Sequence, residues 1–114
     1  MDAVVDIEKL SLENNNFRKV VATLEYSQIV VMSLLPNEDI GEEIHEVDQI
    51  IHIIRGAGIA KLNDYTIDIK EKRLIVIPAG TKHNIINSNL SIMKLYTIYA
   101  PSNEPKGLIQ KFKD

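Results

Sequence analysis

Short β-branched runs separated by turn residues dominate the chain. Residues 28–35 (QIVVMSLL) end at Pro36-Asn37-Glu38-Asp39, and residues 49–55 (QIIHIIR) end at Gly56-Ala57-Gly58. Residues 59–62 follow, and Asn63-Asp64 gives a tight turn into 65–70, where Tyr, Ile and Ile alternate with Thr, Asp and Lys. Residues 74–77 stop at Pro78-Ala79-Gly80, and 84–87 and 91–100 (SIMKLYTIYA) complete the set. Short strands at regular spacing, joined by turns instead of helices, predict a sandwich or barrel. The near-continuous apolar runs predict strands covered on both faces, by the opposing sheet and by further cover such as a partner chain. Residues 6–13 (DIEKLSLE) suit a helical turn and an edge strand equally. Asn14-Asn15-Asn16 reads as a loop, and residues 101–114, with two prolines and a glycine, as irregular.

Composition narrows the class. A chain of 114 residues fits one domain, 1–114, with its core at about 18–100 and peripheral ends. With 45% hydrophobic residues it can bury a core, which argues against global disorder. It has no cysteine, so disulfides and thiolate zinc sites are excluded. The net charge of −3 argues against a general nucleic-acid binder. The first residues lack the basic start and apolar run of a signal peptide, and no long apolar stretch predicts a membrane span. The cytoplasm is the expected location.

Two clusters could carry chemistry. The first is Gly41-Glu42-Glu43-Ile44-His45-Glu46-Val47-Asp48-Gln49. On an extended strand Glu43 and His45 share a face, and Glu42 and Ile44 take the other. A straight strand would carry Gln49 about 13 Å beyond His45, so Gln49 joins them only if residues 46–48 bend and the chain folds back. The second is Pro78-Ala79-Gly80-Thr81-Lys82-His83, with Asn87 four residues on; the turn launches His83 onto the strand that follows. Plainer roles stand beside these. His83 could be bonded to backbone, Glu43 could belong to a solvated acidic loop with Asp39, Glu42 and Glu46, and Gln49 could give hydrogen-bonding support. His52 and Asp48 have the opposite parity to Gln49; His52 is expected to point outward and Asp48 to serve the bend. Tyr96 and Tyr99 lie on opposite faces, so that one of them reaches the interior.

Pro78-x-Gly80-x2-His83-x3-Asn87 resembles the second conserved motif of the cupin superfamily, G-x5-P-x-G-x2-H-x3-N, with Lys72 standing where its leading Gly would be. Glu43-x-His45-x3-Gln49-x6-Gly56 has the spacing of the first motif, G-x5-H-x-H-x3-4-E-x6-G, with Glu in place of the first His and Gln in place of Glu. The segments Asn16-Phe17-Arg18, Val47-Asp48-Gln49, Gly56-Ala57-Gly58 and 95–101 extend the resemblance to small bacterial cupins described as mannose-6-phosphate-isomerase-like. The resemblance implies an all-β, mostly antiparallel double-stranded β-helix, the cupin jelly-roll barrel. It also implies one divalent metal ion, iron, manganese, zinc or nickel, held by Glu43, His45, Gln49 and His83. Two imidazoles and a carboxylate suit iron(II), manganese and zinc. Exchanging His for Glu43 and Glu for Gln49 leaves the ligand charge unchanged.

The expected function is binding of a small polar metabolite at that metal, with sugar isomerase or iron oxygenase chemistry compatible. The alternatives are a non-catalytic ligand-binding or sensor module, and a metal-free degenerate cupin acting through its dimer. A homodimer is expected, because strand edges and apolar outer faces invite cover, with Ile50, Ile54 and the apolar N-terminal segment facing outward.

Overall fold

The computed structural model describes residues 2–114. A short helix, α1 (Ile7–Glu13), precedes ten strands: β1 (Arg18–Thr23), β2 (Gln28–Leu34), β3 (Glu43–Ile44), β4 (Asp48–Arg55), β5 (Ala57–Leu62), β6 (Tyr65–Lys70), β7 (Leu74–Ile77), β8 (Lys82–Ile86), β9 (Met93–Ala100) and β10 (Ile109–Gln110). They form a six-stranded sheet in the order β10-β1-β2-β9-β4-β7 and a four-stranded sheet in the order β3-β8-β5-β6. Every pairing is antiparallel. From β2 to β9 the chain changes sheet at each connection except the β5–β6 hairpin. This winding is the predicted double-stranded β-helix.

Strand periodicity sets which residues meet inside. Along β4, Gln49, Ile51 and Ile53 are buried while Ile50 is 39% exposed. Sliding that strand by one residue would turn Ile50, His52 and Ile54 inward. The core gathers Val30, Met32 and Leu34 of β2, Leu95 and Met93 of β9, Ile75 and Ile77 of β7, and Ile85 of β8. Each such aliphatic side chain contributes roughly 1.5–3 kcal/mol on leaving water.

Residues 6–13 resolve as a helix because Asp6 caps it, its carboxylate accepting from the Lys9 amide at 3.2 Å. The helix packs on β2, β4 and β9. It therefore supplies much of the outer cover that the apolar run of β2 called for, and Val31 is 1% exposed. Buried Lys94 donates from Nζ to the Asn14 carbonyl and to Asn15 Oδ1, fixing the end of the helix to β9. The tail contains β10, paired with β1, and is also clamped by Gln28. The Gln28 amide donates to the Glu104 carbonyl at 2.9 Å and accepts from the amides of Asn103 and Glu104 at 3.1 and 2.9 Å. Lys72, where the resemblance places a glycine, adopts φ 66°, the left-handed turn that glycine reaches without strain.

Candidate functional site

The strand register assembles a polar layer. In the six-stranded sheet Gln28, Tyr99, Gln49 and Ile77 lie side by side. In the four-stranded sheet Glu43 pairs with His83, which pairs with Leu62. His45 sits between them, just before the bend at Glu46 and Val47 that turns the chain back into β4. Its ring lies 5.1 Å from that of His83 and edge-on to Tyr99 at 5.8 Å, centroid to centroid. The two motif segments are tied through backbone: the Gly80 amide donates to the His45 carbonyl at 2.8 Å, and the Ala79 amide to Asp48 Oδ1 at 2.9 Å. Asp48 thus serves the bend.

Each side chain has a definite electrostatic setting. His83 Nδ1–H donates a hydrogen bond to the Thr81 carbonyl at 2.8 Å, so a neutral His83 keeps the Nε2 lone pair free. His45 Nε2 is 3.2 Å from Glu43 Oε2, yet the pair is not aligned as a hydrogen bond, and Nε2 is buried without a hydrogen-bond partner. Burial holds the His45 imidazole below its usual pKa, aided by the neighbouring His83, while Glu43 and Glu104 pull the other way. Gln49 donates from Nε2 to Thr97 Oγ1 at 3.1 Å, leaving Oε1 buried and unpartnered. Burial pushes the Tyr99 hydroxyl well above its ordinary value, so it stays protonated.

Two charged residues reach this layer without local warning in the sequence. Arg18 Nη2 lies 3.8 Å from Glu43 Oε1, and its Nη1 lies 3.7 Å from Glu104 Oε1 and 3.2 Å from Gln110 Oε1. The guanidinium rests 5.2 Å from the centre of the Phe17 ring. Glu104 arrives from the clamped tail, and only its place beside the Gln28 contacts explains its position. Two carboxylates against one guanidinium leave the layer with one net negative charge. Glu42 points away and pairs with exposed Lys82 at 3.3 Å.

The donor chemistry of Glu43, His45, Gln49 and His83 suits a divalent cation: a carboxylate, two imidazoles that can present lone pairs, and an orphaned amide oxygen. Both Glu43 oxygens are engaged, one toward Arg18 and one toward His45. Among the described residues, no three His, Asp or Glu side chains are disposed to hold a metal ion. His52 lies on the other face, half-buried, with Nδ1 3.1 Å from the Tyr96 hydroxyl. Tyr99, not Tyr96, therefore reaches the interior. No described helix is long and apolar enough to cross a membrane.

Known proteins resemble this chain in sequence and in fold. The chain is 41% identical to the uncharacterized protein YrkC of Bacillus subtilis, over 96% of its own length and 63% of that protein. It is 47% identical to the uncharacterized protein L612 of Acanthamoeba polyphaga mimivirus, over 93% of this chain and 69% of that one. The chain thus spans a little under two thirds of YrkC. The crystal structure of BH2720 from Bacillus halodurans superposes with a TM-score of 0.96 at 34% identity, covering 99% of this chain and 91% of that one. The cupin domain model matches residues 30–99, well over half of the sequence, and this chain belongs to the cupin domain family.

Proposed function

We propose that the polar layer is the binding site of a metal-dependent cupin, holding one divalent ion and a small polar metabolite. The observation that carries this reading is that His45 Nε2 and Gln49 Oε1, two potential metal donors, are buried without hydrogen-bond partners in the layer that also holds His83 and the likewise unpartnered Arg18 Nε. Buried polar atoms without partners are costly, and a ligand that satisfies both recovers that cost. Glu43, His45, Gln49 and His83 would hold the ion, with iron, manganese, zinc and nickel the candidates. When bound, such an ion acts as a Lewis acid toward a substrate oxygen.

The chain's own residues supply the rest. The Thr81 carbonyl fixes the tautomer of a neutral His83, and burial favours the neutral form of the His45 imidazole. Arg18, already flanked by Glu43 and Glu104, offers the layer its one positive charge and N–H donors suited to a hydroxyl-rich ligand. Sugar or sugar-phosphate isomerisation and iron-dependent oxygenation are both compatible with this set. A non-catalytic module would use the same pocket for sensing.

The Arg18–Glu43–His45 chain of contacts favours a second reading, a metal-free cupin that binds its ligand through these polar groups directly. Calorimetric titration of iron(II), manganese, zinc and nickel into chelator-treated protein separates the two. Saturable binding that Glu43→Ala and His83→Ala abolish, with the fold intact by circular dichroism, supports the metal site. Unchanged binding in both variants overturns the ligand assignment. We further propose a homodimer formed through the outer face of the six-stranded sheet around Ile50. The helix α1 packs on β2, β4 and β9, and Leu10 on the helix, Val4 before it and Ile50 on β4 are exposed apolar residues. Light scattering at micromolar concentration that reports one chain contradicts this.

A further inference from the structure

Between β6 and β7, each an edge strand of its sheet, the barrel holds a cavity of about 990 Å³. Its origin lies in the sequence of β5. Inward positions there carry Gly58 and Ala60, and Gly58 admits no side chain, since a Cβ would stand 2.1 Å from the Ile86 carbonyl oxygen. Ile69 and Ile67 are the cross-strand partners of Gly58 and Ala60 and point inward with them. Ile69 is 5% exposed, as an inward isoleucine should be, but Ile67 is 49% exposed. A core-facing isoleucine is left open because nothing fills the space opposite it.

The lining is mostly apolar, with Ala60, Leu62, Ile67, Ile69 and Ile75; Asp68 and Lys70, of opposite parity to Ile67 and Ile69 on the edge strand β6, and Arg73, just before β7, border it along the open edge. Two cations outnumber one carboxylate there. Among the described residues, neither Lys70 nor Arg73 has an ion-pair partner. An apolar hollow with a few charged groups at its mouth is the usual form of a small-molecule site. None of Glu43, His45, Gln49 and His83 lines it.

We propose that this cavity binds a small amphipathic monoanion, with a hydrocarbon body against the aliphatic wall and a carboxylate at Lys70 and Arg73. The hydrocarbon removes Ile67 and its neighbours from water, and the carboxylate gives the two cations the partner they lack. This site stands apart from the metal proposal and survives its failure.

Decanoate, titrated below its micellar concentration and followed by amide NMR shifts, tests the proposal, with decanol as the uncharged comparison. The expected result is saturable binding with shifts centred on β5, β6 and β7. Lys70→Gln with Arg73→Gln weakens decanoate by about tenfold, the loss of a charge-assisted contact, and changes decanol little. Ala60→Leu fills the hollow and abolishes binding of both. Should that variant fold poorly, Ile67→Asp, at a half-exposed position, repels decanoate selectively. Absence of saturable binding overturns the proposal, as do shifts centred on His45 and His83. A dimer that protects the β6 and β7 amides and ignores decanoate overturns it too, making a second copy the occupant.

Discussion

Thr97 orients Gln49: its hydroxyl oxygen accepts from Gln49 Nε2 at 3.1 Å and donates onward to the Ile50 carbonyl at 3.1 Å. This relay turns the amide so that Oε1 is the free atom. Thr97→Val keeps the shape and removes the acceptor. The variant is expected to lose about 10–100-fold in metal affinity, as for other supports of metal ligands. Titration calorimetry measures it. Unchanged affinity would make Gln49 a bystander.

Two glycines separate steric from conformational demand. A Cβ at Gly58 would meet the Ile86 carbonyl at 2.1 Å and Met93 Cε at 2.8 Å. Gly80 has open space around it but φ +85°. Gly58→Ala is expected to cost about 3 kcal/mol or more, because the obstacle is backbone. Gly80→Ala should cost about 1–2 kcal/mol, the penalty for left-handed backbone. Urea unfolding gives both values, and a reversed order contradicts the packing described here.

Much of the fold was legible because the signals were local. The strands Tyr65–Lys70 and Leu74–Ile77 stand where alternation and turn residues predict them. The bend at Glu46 and Val47 brings Gln49 back, as the charged, turn-tolerant residues there allow. Strand β1 escaped because its apolar residues, Val20, Val21 and Ala22, run together without alternation, and β10 because two residues carry no period. Arg18 and Glu104 were illegible as site residues, since positions 18, 43 and 104 meet only through tertiary packing. Gln28 did leave a trace, a polar residue opening an otherwise apolar strand, and its clamp on the tail is the reason.

Acid should loosen the tail. Asp39 accepts from Asn84 Nδ2 at 2.8 Å and pairs with Lys113 Nζ. The Asn84 bond and the Lys113 contact hold its pKa below the ordinary 3.8. A carboxyl whose folded pKa is depressed stabilises fully above its unfolded value and loses that contribution as pH falls through the folded one. The stability difference between wild type and Asp39→Asn should therefore be constant from neutrality to about pH 5 and shrink in more acid solution. Urea midpoints across this range check it. A difference that grows with acid contradicts the assignment.

Glu43, His45, Gln49 and His83 are proposed to form a metal site. Elemental mass spectrometry of protein purified without added metal or chelator, normalised per chain, tests it most directly. Near-stoichiometric iron, manganese, nickel or zinc is expected in the wild type, with its loss in a folded His83→Ala variant. Wild-type protein that is empty and binds none of these ions on titration contradicts it.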